Sequence, residues 1–180
     1  LAIMRMLVAE GPFPPALQPH GDQSMASIIE VRRTYKYRLY RCDKRDNHLH
    51  QQINIAGTVW NHALALQKRY YRLTGKYIPL GVLKSHIANL RMRTARYAFW
   101  KQLGSQTIQE VLERLDTAYQ RFFKKLAKRP PKYKKVRQRQ SFTLKQAGWK
   151  LHDHHPSKRY RQVTIGETTY KFVYHRPLNG

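Results

Sequence analysis

Ten carboxylates, nine histidines and one cysteine are what this 180-residue chain offers for acid–base, metal or covalent chemistry, against 35 lysines and arginines. Phosphoryl chemistry by two metals needs several carboxylates converging on one point. The acids are Glu10, Asp22, Glu30, Asp43, Asp46, Glu110, Glu113, Asp116, Asp153 and Glu167. Of these, Glu113 and Asp116 share a helix face, where Arg114, Arg121, Lys124 and Lys125 offer intrahelical ion partners. No Asp-x-Asp pair lies on a strand, and no glycine-rich phosphate loop is present. Ser/His/Asp and Cys/His sets do not assemble. His152, Asp153, His154 and His155 lie together, and His48 pairs with His50, but a metal needs three or four ligands fixed in space. A polar loop explains the cluster better. Cys42 alone excludes an intrachain disulfide and fits a reducing, cytoplasmic setting. The expectation is therefore no catalytic residue, no metal and no cofactor.

The cations carry the argument. The net charge is +25. Residues 1–24 hold Arg5, Glu10 and Asp22, so +26 falls on residues 25–180. A chain this basic is built to meet a polyanion, and the common one is nucleic acid. Seven of the twelve residues from 128 to 139 are basic and none is acidic. The expected phosphate-binding residues are Lys36 and Arg38, then Lys68 and Arg69, then Arg91, Arg93 and Arg96, and in the loop Lys128, Arg129, Lys132, Lys134, Lys135, Arg137 and Arg139. Tyr70, Tyr71 and Tyr133 sit among these cations and can stack on unpaired bases. Tyr35, Tyr37 and Tyr119 lie on apolar stripes and belong to the core. Aromatic residues interleaved with charge favour RNA or a single strand over plain duplex. No window approaches the ~18 apolar residues of a membrane span. No small-molecule substrate is implied.

Several elements must position these side chains. Residues 1–24 are rich in proline and glycine and read as a flexible tail. Residues 28–40 alternate, with Ile29, Val31, Tyr35, Tyr37 and Leu39 on one face and cations on the other, which predicts one long strand. From Asp46 the period becomes helical through Leu49, Ile53, Ala56, Trp60, Ala63 and Leu64, with Asp43 or Asp46 as cap and Thr74-Gly75 as the end. A second helix follows Pro79, with Leu83, Ile87 and Leu90 inward. A third runs through Ile108, Val111, Leu112, Leu115, Tyr119, Phe122 and Leu126, capped by Ser105 or by Thr107 with Glu110, and stopped by Pro130-Pro131. Residues 128–139 read as a solvated loop. Strands are expected at 141–145, 149–151, 161–165 and 170–174, with turns at Gly148 and Gly166. The fold class is α+β: a small, OB-like β-barrel interrupted after its first strand by three helices. The divisions are a tail (1–24), first barrel strands (25–45), a helical insertion (46–129), and the basic loop with the remaining strands (130–180).

Four stretches match a known family in order. They are Tyr35-Lys36-Tyr37-Arg38-Leu39-Tyr40; Gly57-Thr58-Val59-Trp60-Asn61-His62-Ala63-Leu64; Trp100-Lys101 through Ser105-Gln106 to Leu115-Asp116-Thr117-Ala118-Tyr119 and Phe122-Phe123-Lys124-Lys125; and Pro131-Lys132-Tyr133-Lys134 followed by Arg139-Gln140-Ser141-Phe142-Thr143. The chain resembles the front part of TnpB (OrfB) proteins of insertion sequences, relatives of type V CRISPR effectors. That segment also goes under the description of a transposase helix-turn-helix. The resemblance implies a WED-type barrel with a REC-like helical insertion, in a guide-RNA-directed DNA nuclease of a mobile element. In such systems base pairing reads the sequence while protein holds the backbone. The family's RuvC-like acids and zinc ribbon lie downstream of the matching residues, so no catalytic residue carries over. The expectation is a binding module (a truncated copy, a fragment or a remnant), not an enzyme, partnered by guide-like RNA, DNA or both. The alternative is a stand-alone basic RNA-binding structural protein, such as a ribosome-associated one.

Overall fold

The helical stripe seen from Leu49 onward is one long helix, α1 (Asp43–Thr74), in a computed structural model that describes residues 3–9, 32–40, 43–135, 141–144, 148–152 and 159–175. The chain divides into a helical unit, Asp43–Trp149, and a sheet unit formed by Leu1–Cys42 with Lys150–Gly180. Residues 128–135, the described part of the basic loop, fall within the helical unit.

In the helical unit α1 begins at Asp43, the earlier of the two aspartates expected at its start. It ends where Gly75 takes a φ of +67° and donates its N–H to the Tyr71 carbonyl at 2.8 Å. That left-handed step costs a glycine little and terminates the helix. Helix α2 (Leu80–Arg93) follows Pro79 as expected, with Leu83 and Ile87 buried. A 3-10 helix, Ala95–Gln102, then carries Trp100 into the core. The sequence reading did not foresee it. Its logic is the spacing of Tyr97 and Trp100, which eclipse at three residues per turn and meet at 4.6 Å between ring centroids.

Helix α3 (Ser105–Phe123) turns Ile108, Val111, Leu112, Leu115 and Tyr119 inward. Two expectations about its ends are corrected. Gly104 stands at the N-cap and has no side chain to cap with, while Thr107, an expected cap, is buried within the helix. The helix stops at Phe123, well before Pro130. Lys125 adopts φ +57°, and the N–H groups of Leu126 and Ala127 both reach the Arg121 carbonyl, at 2.9 and 3.1 Å. Leu126 is consequently 69% exposed rather than part of the stripe.

One core joins α1, α2, the 3-10 helix and α3. Ala56 and Ala63 are fully buried on α1 amid Val59, Leu64, Leu83, Ile87, Trp100, Leu112 and Leu115. Each large apolar side chain taken fully from water contributes about 1.5–3 kcal/mol. Residues 141–144, expected as a strand, form none. Phe142 packs instead against the helical core, which uses its side chain without a partner strand.

In the sheet unit, β1 (Ile3–Ala9) pairs antiparallel with β2 (Arg32–Arg38), from Ile3↔Arg38 to Ala9↔Arg32. Part of the expected flexible tail is therefore a strand. Its short apolar run supplies the backbone partner that the edge of β2 would otherwise lack. Strands β3 (Trp149–His152), β4 (Tyr160–Ile165) and β5 (Thr168–Val173) form a second sheet in that order. β4 and β5 join antiparallel through a two-residue turn in which Gly166 has φ +60°, the opening conformation of a type II′ hairpin. An isolated antiparallel bridge, Leu39↔Phe172, links the end of β2 to β5. The architecture is α+β. Among the described residues the two sheets do not close into a barrel.

Candidate nucleic-acid interface

The reversal at Lys125 sends the chain back from the end of α3 toward α1. There α1 holds it by its backbone. The Asn61 side-chain amide donates to the Lys134 carbonyl at 2.7 Å and accepts the Lys134 N–H at 3.0 Å. The Trp60 indole N–H donates to the Lys132 carbonyl at 3.3 Å. A side-chain amide can satisfy both polar groups of one residue, as a neighbouring strand would. Between the two anchored residues Tyr133 is 53% exposed. The Lys68 ammonium lies 4.4 Å from the centre of its ring, and the Lys134 ammonium lies 4.5 Å from the Trp60 ring. Both are cation–π distances.

The result is a docked basic finger. Lys132, Tyr133, Lys134 and Lys135 all face solvent, as do Lys128 and Arg129 before them. Lys68 joins them through Tyr133. Arg69 and Tyr70 are exposed on the next positions of α1, turned by about 100° per residue away from the Lys68 line. Tyr71 is exposed too. Arg93 and Arg96 are exposed, whereas Arg91 is half-buried, with a guanidinium N–H 3.4 Å from the Lys101 carbonyl. Lys36 and Arg38 are exposed on β2, in the sheet unit. Arg137 and Arg139 lie outside the described residues. Tyr37 and Tyr119 are buried, as expected, and nothing described bears on the Tyr35 side chain. Trp60 and Asn61, which mount the finger, were not among the expected site residues. Their partners are carbonyls and an N–H, which no residue type announces.

Two carboxylates of α3 tie it to its neighbours. Glu113 meets Lys84 of α2 at 2.8 Å, and Asp116 accepts the Tyr77 hydroxyl at 2.7 Å. These partners lie outside α3, while on the same helix Arg114 approaches Glu110 at 3.7 Å. Burial, then the hydrogen bond to Asp116, holds the Tyr77 phenol far above its ordinary range. Burial, then the neighbouring Tyr133, raises that of Tyr119, so both stay neutral. His62 packs edge-on against Tyr97 and Trp100 at 5.0 and 5.3 Å. Burial, then the charges of His86 and Arg96, lowers its pKa. Among the described residues no three His, Cys, Asp or Glu side chains gather where a metal could sit, and no helix is long and apolar enough to cross a membrane. His152, from the histidine cluster, instead meets the Thr164 hydroxyl at 2.7 Å.

Residues 25–76 match the model of a helix-turn-helix domain found in OrfB proteins of the IS605 type. They are a TnpB-type N-terminal segment. In the OrfB segment the described residues form β2 and α1, and the helix that follows α1 across a turn, α2, starts just beyond the match. The chain is also 30% identical, over 113 residues, to a protein of Escherichia coli (strain K12) named "Putative RNA-guided DNA endonuclease InsQ". The similarity covers 62% of this chain and 27% of that relative. The OrfB segment contains Trp60 and Asn61, the mount of the finger.

Proposed function

We propose that these residues are the nucleic-acid grip of a TnpB-like, transposon-associated, RNA-guided DNA nuclease. They hold the backbone of a guide RNA, its DNA target or both, and contribute no cutting group. The observation that carries this reading is the docked finger. Three lysines are presented together on a segment fixed by Asn61 and Trp60, in a chain of net charge +25. Each lysine that neutralises a phosphate releases condensed counterions, and that release drives binding. The OrfB match and the similarity to InsQ support the assignment to this class. The engagement of Glu113 with Lys84 and of Asp116 with Tyr77 supports a binding role over a catalytic one. In the same reading the strands belong to a WED-type barrel, with the bridge at Leu39 and Phe172 as one of its seams, and the helical unit is its REC-like insertion.

The test is a salt titration. Replacing Lys132, Lys134 and Lys135 together by alanine is expected to weaken binding to every nucleic acid and to flatten the slope of log affinity against log salt by about 2–3. Unchanged affinity and slope would remove the finger from the interface.

A further inference from the structure

The sheet unit has a second face with the right chemistry. Along β2 and its continuation, Tyr37 and Leu39 are buried while Lys36, Arg38 and Tyr40 are exposed. Strand alternation therefore puts those three on one side. Tyr40 donates its backbone N–H to the Lys171 carbonyl at 2.9 Å, which places it beside β5. The register Gln162↔Lys171 sets Lys171 and Tyr160 on one face of the β4–β5 pair. The Lys171 ammonium lies 3.9 Å from the centre of the Tyr160 ring. Tyr40 meets that ring edge-on at 6.0 Å. The core does not claim Tyr40, because Val163, Tyr170 and Phe172 fill the opposite face and Tyr40 remains 48% exposed. Among the described side chains of this unit, Lys36, Arg38, Lys150, Arg159, Arg161 and Lys171 stand against Glu167 alone.

We propose that this face is a second contact, which takes unpaired nucleotides: a base stacks on Tyr40, braced by Tyr160, while Lys171 and Arg38 hold the flanking phosphates. The proposal rests on the nucleic-acid reading above but differs from it in kind. The finger holds any backbone, whereas a ring needs an open base. Among the described residues of this unit the excess of cations over Glu167 favours a polyanion over a protein partner.

Fluorescence anisotropy on the full chain tests it, with labelled oligo(U) and oligo(dT) of about 12 nucleotides and a mixed-sequence duplex as probes. Tyr40→Ala is expected to weaken single-strand binding about 5- to 100-fold and to leave duplex binding within about twofold, because paired bases hide their faces. Tyr40→Phe keeps the ring and retains wild-type affinity. Lys171→Gln lowers the single-strand salt slope by about 0.7. The oligo(U) and oligo(dT) arms tell an RNA source from a DNA one. Wild-type single-strand affinity in Tyr40→Ala, or an equal loss on the duplex, overturns the proposal. If alanine loosens the sheet, photocrosslinking of the wild-type chain to a 4-thiouridine-bearing strand decides. An adduct on the peptide holding Tyr40 or Tyr160 supports the second contact. Adducts confined to residues 128–135 overturn it and leave the finger standing.

Discussion

Helix α1 uses the same device twice. The Gln67 amide donates to the Ile78 carbonyl at 2.8 Å and accepts the Ile78 N–H at 3.0 Å. The Asn61 amide does the same to Lys134. The difference is water. Gln67 is 2% exposed, so its partners have no other source of hydrogen bonds. The Asn61 bonds lie at the surface, where water can replace them. The inner pair therefore fixes the turn into α2, on which the core depends. The outer pair adds little to folding and fixes where a functional loop sits. One chemistry yields stability in one place and positioning in the other.

The contrast is sharpest at the inner site. Gln67→Ala strands a buried donor and a buried acceptor, and about 2–4 kcal/mol of stability should be lost, read from the urea midpoint. A loss no larger than that of Asn61→Ala would break the comparison. Next in size is Tyr77→Phe, which removes one hydrogen bond to the Asp116 carboxylate beside the inner turn. About 1–2 kcal/mol is expected, at the low end for a charged acceptor because the site is half-buried. Asn61→Ala should cost about 0.5–1 kcal/mol in stability. Its larger signature is elsewhere: trypsin should cut after Lys132 or Lys134 faster, and duplex affinity should fall about 3- to 10-fold as the loop must be ordered on binding. Asn61→Asp keeps the acceptor for the Lys134 N–H and should recover part of the protection. The smallest effect concerns His62, one residue from the outer clamp. Its lowered pKa means that the folded state resists a proton which the unfolded chain accepts near 6.5. Its contribution is whole above that pH and is lost as pH falls through the lowered value. His62→Phe should make the urea midpoint less sensitive to acidification from about pH 7.5 to about pH 5.

Much of the framework was legible because side-chain periodicity reports it. The stripe from Ile108 to Tyr119 is α3, the row from Leu49 to Leu64 is α1, and the turns at Gly75 and Gly166 fall where glycine's freedom is needed. The misses share a cause. The end of α3 is set by the backbone of Lys125, not by the prolines further on. The strand expected at 141–145 was outweighed by one aromatic side chain with a better place to go. At the candidate site the sequence showed the cations of 128–135 and the helix carrying Trp60 and Asn61. It could not show that one is bolted to the other, because the bolts end on carbonyls and an N–H, which every residue but proline carries alike.

That anonymity has its own consequence. The hydrogen bonds of Asn61 and Trp60 end on main-chain atoms of positions 132 and 134, and the Lys134 ammonium over the Trp60 ring adds a side-chain contact. Exchanging the side chains at 132, 133 or 135 thus leaves these hydrogen bonds in place, whereas reversing the charge at 134 gives up the contact with the Trp60 ring. Proline at 134 is the exception, since it lacks the hydrogen that Asn61 receives. A mount whose hydrogen bonds read main-chain atoms makes this short segment a natural place to graft a new recognition surface onto an unaltered scaffold.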